Sequence, residues 1–197
     1  MFSKVLISIL SLVLGFCAIA CQRNDGAYDA ANQSDCLPAL KLLDQNGKPL
    51  ALASLKGRFV LVDFFYTSCP GACLMLTQKM STIAQSLGPV LGRDVTLLSV
   101  DIDREHDGPA QLEHYVHRQD AQFAGWLFVT GQPATIELVL RNFQLRRKRE
   151  ADGSVAHVEG IFLLGPDGKE RREYDGKIVR ASIIEREIQH SLELARQ

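Results

Sequence analysis

Two cysteines, Cys69 and Cys73, stand in the run Tyr66-Thr67-Ser68-Cys69-Pro70-Gly71-Ala72-Cys73. An apolar stretch, residues 59–65, precedes it, and residues 74–80 follow with apolar side chains at helical spacing. That pattern predicts a buried strand delivering two thiols to the start of a helix. Free backbone N–H groups and the positive end of the helix dipole favour thiolate over thiol there, and the thiolate is the form that attacks disulfides and binds soft metals. Pro70 is expected in the first helical turn, where its missing N–H costs nothing. Four apart on such a turn, Cys69 and Cys73 share a face, close enough to hold one ion or form a strained disulfide. The plainer alternative is a pair of inert core cysteines; Pro and Gly between them at a strand-to-helix corner weigh against it.

The elements that must position this pair belong to a chain of 197 residues, which suits one domain once the first twenty or so are set aside. With 46% hydrophobic residues it can build a core without disulfide staples, and its formal net charge of -1 gives no global electrostatic case for nucleic acid. Residues 1–21 read as a targeting signal: Lys4, an apolar stretch over 5–16, then Ala18-Ile19-Ala20-Cys21. The apolar part is shorter than the ~20 residues of a spanning helix, so cleavage is expected rather than a transmembrane anchor. The segment resembles the lipobox of bacterial lipoproteins, which implies a lipid on Cys21 and, with Gln22 after it, sorting to an outer membrane. A plain signal peptide or a retained anchor are the alternatives.

Either way, the folded part faces an oxidising, extracytoplasmic compartment. Of five cysteines, Cys17 leaves with the signal and Cys21 takes the lipid, so Cys36, Cys69 and Cys73 remain. Three cannot all pair, which excludes a structural disulfide framework. Cys36 reads as a spare thiol at the entrance of the domain.

Residues 22–36 read as a flexible tether, and 37–197 as the domain. An Asn46-Gly47 turn predicts an opening hairpin, followed by a strand at 59–65 and the cysteine-bearing helix, which stops at Gly88-Pro89. A strand at 95–100, a helix at 109–118, a strand at 126–129 and a helix from Pro133 to about Phe143 come next. Residues 146–153, charged throughout, are expected as a solvated loop, before a hairpin at 158–164 and 170–174 and a final helix at 178–195. The order is α/β and thioredoxin-like, with an N-terminal β-hairpin extension and an extra helix before the last hairpin. Reactive residues of such folds sit where the first core strand meets its helix, which is where Cys69 and Cys73 fall.

These residues resemble the Sco/SenC family, the thioredoxin-fold copper chaperones of cytochrome c oxidase assembly. The stretch from Phe65 to Cys73 is similar to that family's Cys-Pro-x-x-Cys motif, residues 103–109 to its acidic Asp-Pro-Glu-Arg-Asp-Thr-Pro segment, and Trp126-Leu127-Phe128-Val129-Thr130-Gly131 to its Trp-x-Phe-Leu-Thr-Gly strand. His157 lies where the family's copper-ligating histidine precedes the last hairpin. The resemblance implies one copper ion, Cu(I) or Cu(II), held by Cys69, Cys73 and His157 and lost when the two cysteines form a disulfide. It also implies delivery to the copper-site subunit of a cytochrome c oxidase, or reduction of that subunit's cysteines, with an upstream copper donor or thiol reductant as a further partner. Leu74 replaces the usual Pro, Arg104 the proline of the acidic motif, and Ala156 and Val158 the usual polar neighbours of the histidine.

A thiol–disulfide oxidoreductase working through Cys69 and Cys73 without metal is the competing reading, against which stands a spacing of three intervening residues rather than two. His106, His114 and His117 are expected on a solvated face rather than as metal ligands. Asp101, Asp103 and Asp107 read as a loop-ordering or partner-facing segment rather than a hard-cation site. The run Arg146 to Arg149 reads as solvated surface, and Met75 and Met80 as core.

Overall fold

A computed structural model describes residues 35–156 and 159–196. Strands β3 (Phe59–Phe65) and β4 (Val95–Asp101) are buried at every position, which is why both read as mainly apolar stretches without strict alternation, their few polar residues buried too. They lie parallel, and β5 (Trp126–Thr130) adds in parallel to β4. Beyond β5 the hairpin of β1 (Lys41–Asp44) and β2 (Pro49–Ala51) joins antiparallel. The Asp44 carboxylate accepts the N–H groups of Asn46 and Lys48, both at 2.8 Å, which closes the turn there.

A two-stranded ribbon, β6 (Lys148–Arg149) with β7 (Val155–Ala156), stands apart from this sheet. On the other edge β8 (Gly160–Leu164) pairs antiparallel with β3, and β9 (Glu170–Asp175) with β8, so the seven-stranded order is β2-β1-β5-β4-β3-β8-β9. Helices α1 (Ala72–Leu87), α2 (Pro109–Arg118), α3 (Pro133–Asn142) and α4 (Ala181–Leu194) complete the fold; α1 packs on α4, and α2 on β5.

Consecutive β3 residues face opposite sides and anchor separate aromatic clusters. Phe64 meets Phe143 and Phe162 edge-on at 5.1 and 5.9 Å between ring centroids, whereas Phe65 meets Tyr115 and Phe128 at 5.0 and 5.4 Å. Aromatic side chains thus pack against both faces of the sheet at β3.

Several expectations need correction. Helix α1 begins at Ala72, so Pro70 lies upstream of its first turn. Met80 is core, but Met75 is 54% exposed. The charged stretch 146–153 is no plain solvated loop, because it builds β6 and the start of the ribbon. Asp35 and Cys36 belong to the domain rather than a tether: Asp35 pairs with Lys56, and Cys36 is buried, donating its N–H to the Gly168 carbonyl and its thiol to that of Asn142. Burial pushes the Cys36 thiol up to about 12, so it is a core group rather than a spare thiol at the domain's entrance. Residues 1–21, with Cys21, and nearly all of the expected tether lie outside the described residues, among which no helix is long and apolar enough to cross a membrane.

Candidate metal centre

Backbone geometry at the end of β3 follows from one unsatisfied need. The first N–H groups of a helix have no partner within it, and α1 opens on Gly71, which has no side chain to cap them. Cys69 fills the role: its Sγ accepts the N–H of Cys73 at 3.4 Å. The Cys69 N–H in turn donates to the Tyr66 carbonyl at 3.2 Å, so residues 66–69 close as a tight turn over the helix start.

In this arrangement the two sulfurs differ. The Cys73 thiol donates a hydrogen bond to Cys69, and the N–H groups of Gly71 and Cys73 and the Tyr66 hydroxyl add to it, outweighing burial and bringing Cys69 down to about 5. Cys73 is pushed up, because it is the donor of that bond and is buried. The charge of Asp63 below it acts in the same direction. Cys69 and Cys73 are not joined as a disulfide, and Cys69 is the more exposed of the two.

Asp63 is a carboxyl in the middle of a core strand, 1% exposed. Its register partner on β4 is Ser99, whose hydroxyl donates to Asp63 Oδ1 at 2.5 Å and accepts the Trp126 indole N–H at 2.9 Å. Asp63 Oδ2 is buried with no hydrogen-bond partner, and burial raises the carboxyl to about 7.

The acidic segment after β4 orders the loop. Asp107 accepts both the N–H of Thr67, at 2.7 Å, and its hydroxyl, at 2.5 Å, which fixes the turn two residues before Cys69. Asp101 accepts the Thr130 hydroxyl and the Asp103 N–H, and burial, with Asp107 nearby, raises it to about 7. Asp103 receives His106 Nδ1 at 3.0 Å and Arg149.

The arginines of the expected solvated run are therefore largely neutralised in place. Arg147 grips Glu105 through two N–H groups at 3.0 and 3.1 Å, Glu137 at 2.7 Å and the Ile102 carbonyl at 2.7 Å, and this pairing holds Glu105 down to about 2. These bonds tie the acidic segment to the ribbon that leads into residue 157. Arg147→Met is expected to cost about 1–2 kcal/mol in urea unfolding, the worth of hydrogen bonds to half-exposed carboxylates, and to speed backbone amide exchange over residues 148–156. Unchanged exchange there would show that the ribbon is held without it.

Of the residues expected at the site, Cys69 and Cys73 come together, while His157 lies outside the described residues. Downstream, the chain from Glu159 is anchored by the Gly176 N–H, 2.7 Å from the Glu159 carbonyl. A Cβ at Gly176 would stand 2.3 Å from that oxygen, so this approach needs glycine. His106, His114 and His117 are exposed, the last two on α2 with His117 beside Gln122, and no group of three His, Cys, Asp or Glu able to hold a metal occurs among the described residues. Local sequence pattern marks neither Asp63 nor Arg147 as part of this region, although an acid inside an apolar strand is a visible anomaly.

Comparison with known proteins gives a consistent result. The SCO1/SenC family model matches residues 29–193. A SCO1 protein homolog of Bacillus subtilis is 35% identical over 136 residues, spanning 68% of this chain and 70% of its own. A Stutzerimonas stutzeri protein named for copper binding is 30% identical over 172 residues, 83% of this chain and 82% of its own. Among solved structures, BsSco, a Sco family member of the cytochrome c oxidase assembly proteins in which a disulfide switch was identified, matches with a TM-score of 0.69 at 29% identity, over 81% of this chain and 94% of that one.

Proposed function

The chain belongs to the SCO1/SenC family, with its thioredoxin-like fold, and on that premise we propose that it is a copper metallochaperone serving a cytochrome c oxidase. The observation that carries the reading is the sulfur pair: an acidic Cys69 beside Cys73 at a helix start, inside the family's fold. Soft thiolates select Cu(I), and one imidazole added to two sulfurs makes a three-coordinate site that also takes Cu(II) with a further ligand. Cys69, Cys73 and His157 are the proposed ligands. Copper reaches them from an upstream donor and passes to the copper-site subunit of the oxidase.

Binding deprotonates Cys73, whereas oxidation to a Cys69–Cys73 disulfide removes the site, so loading and thiol redox state are coupled. The proposed setting is extracytoplasmic, with residues 1–21 as the signal and Cys21 lipidated to hold the domain at a membrane.

An anaerobic Cu(I) competition titration of the reduced chain from Gln22, beside Cys69→Ser and His157→Ala, tests this. One tight equivalent is expected, lost in the cysteine variant and weakened by the histidine change. One observation favours a second reading. An acidic, partly exposed Cys69 with a buried high-pKa partner is also the layout of an attacking and a resolving thiol. Absence of tight copper binding, with ready reduction of a protein disulfide, would establish that thiol–disulfide oxidoreductase instead.

A further inference from the structure

Helix α2 ends at Arg118, whose guanidinium is held from two sides. It donates to the Thr67 carbonyl at 3.3 Å, two residues before Cys69, and lies over the Tyr115 ring, 5.7 Å from the centroid. Tyr115 is buried, and its hydroxyl shares a 2.8 Å hydrogen bond with Thr77, one turn of α1 beyond Cys73. Arg118 is thus tied to both segments that carry the sulfurs, directly to one and through Tyr115 to the other.

A guanidinium has five N–H donors, and Thr67 takes one. Arg118 is exposed, and among the described residues no carboxylate pairs with it. The exposed residues between 68 and 75, namely Ser68, Pro70, Gly71 and Met75, are uncharged. Asp107 beside them is buried and uses both carboxylate oxygens on Thr67, while Arg104 donates to the Asp107 carbonyl. A planar donor fork, fixed beside the cysteine turn with free N–H groups, is preorganised for a carboxylate.

We propose that Arg118 is a recognition residue for the partner of Cys69: it receives a carboxylate flanking the partner's reacting sulfur, so the segment that docks here is acidic. The inference deepens the functional reading above and rests on Cys69 being the sulfur that the partner meets first. That holds for a copper chaperone and for a thiol–disulfide oxidoreductase alike.

Three small disulfides test it on the reduced, metal-free full chain: dithiodiglycolate with two carboxylates, neutral hydroxyethyl disulfide, and cystamine with two ammonium groups. The Cys69 thiolate attacks one probe sulfur, the probe S–S bond breaks and one thiolate leaves. Cys73 then attacks the mixed disulfide, so the protein dithiol is oxidised and the probe is reduced to two thiols. Peptide mapping follows formation of the Cys69–Cys73 disulfide. In Arg118→Gln the rate with dithiodiglycolate, divided by that with hydroxyethyl disulfide, is expected to fall about three- to tenfold, and the corresponding cystamine ratio to rise. Arg118→Lys should keep most of the preference and Arg118→Glu should invert it. In the wild type the preference should fade between about 0.01 and 1 M salt, as the Debye length shrinks from about 30 to about 3 Å.

Each ratio is taken within one protein, so a general loss of reactivity cancels. Unchanged ratios in Arg118→Gln and Arg118→Glu would overturn the proposal, and so would rates that fall equally with all three probes, by assigning Arg118 to support of the turn. No copper enters the measurement, so failure of the chaperone reading shows in the copper titration and not here.

Discussion

Asp63→Asn is expected to stabilise the domain at pH 8, by at most about 4 kcal/mol, and to change little at pH 3. The Asp63 carboxyl rises from 3.8 to about 7 on folding because it is buried against one serine. Below pH 3.8 the folded and unfolded forms are both protonated, so the residue costs nothing extra. Between that value and about 7 the unfolded chain ionises while the folded one stays neutral, and stability falls as pH rises. Above about 7 both are ionised and the loss is complete, about 4 kcal/mol as an upper bound for a shift of about three units. Asparagine keeps the Ser99 acceptor and never ionises, so its stability curve lacks this fall. Asp101, raised to about 7 by burial, has the same sign and remains in the variant, so the slope between pH 4 and 7 should roughly halve rather than vanish.

Urea unfolding at half-unit pH steps reads the effect directly; parallel curves for the wild type and D63N would refute it. The single tryptophan supplies a second readout. Trp126 donates to Ser99, which donates to Asp63, so ionisation at Asp63 changes the field at the indole. Native-state fluorescence should titrate near pH 7 in the wild type and lose that step in D63N.

Much of the fold could be read in advance because its signals are local. The apolar run at 59–65, the Gly88 stop and the Asn46-Gly47 turn each act within a few residues, and each matches an element. Details of the site depended on partners distant in sequence. Local pattern suits Pro70 to the first helical turn, but the Cys69 sulfur accepts the Cys73 N–H and residues 70–71 stay outside the helix. Helical spacing places Met75 in the core, yet it lies two residues after the buried Cys73, about 200° around the helix, and is exposed. The arginine run resembled solvated surface because nothing near it in sequence reveals Glu105 as a partner 42 residues away. Asp63 could be noticed in its strand, but its link to Trp126 requires the β3–β4 register.

Alkylation by iodoacetamide should proceed at Cys69 with a pH midpoint near 5, far below an ordinary thiol. The folded pKa is depressed chiefly by the hydrogen bond from Cys73, so the thiolate is present above about pH 5 and is lost only as the pH falls through that value. Against a thiol at 9.0, Cys69 holds about a few thousandfold more thiolate at pH 5, while its lower basicity makes each thiolate roughly 50- to 100-fold less nucleophilic. The net advantage is about 100-fold or somewhat less at pH 5, and it should reverse by pH 9, where ordinary thiols ionise and remain the better nucleophiles. Mass spectrometry after timed quenching should place the first label on Cys69, with Cys73 and the buried Cys36 following slowly. A rate that keeps rising to pH 8 or beyond would mean that the Cys73 thiol does not donate to Cys69 in solution. The ordering also bears on function: the partly exposed sulfur that is ready at neutral pH is the one an incoming copper ion or thiol meets first, and Cys73 gives up its proton only once that contact is made.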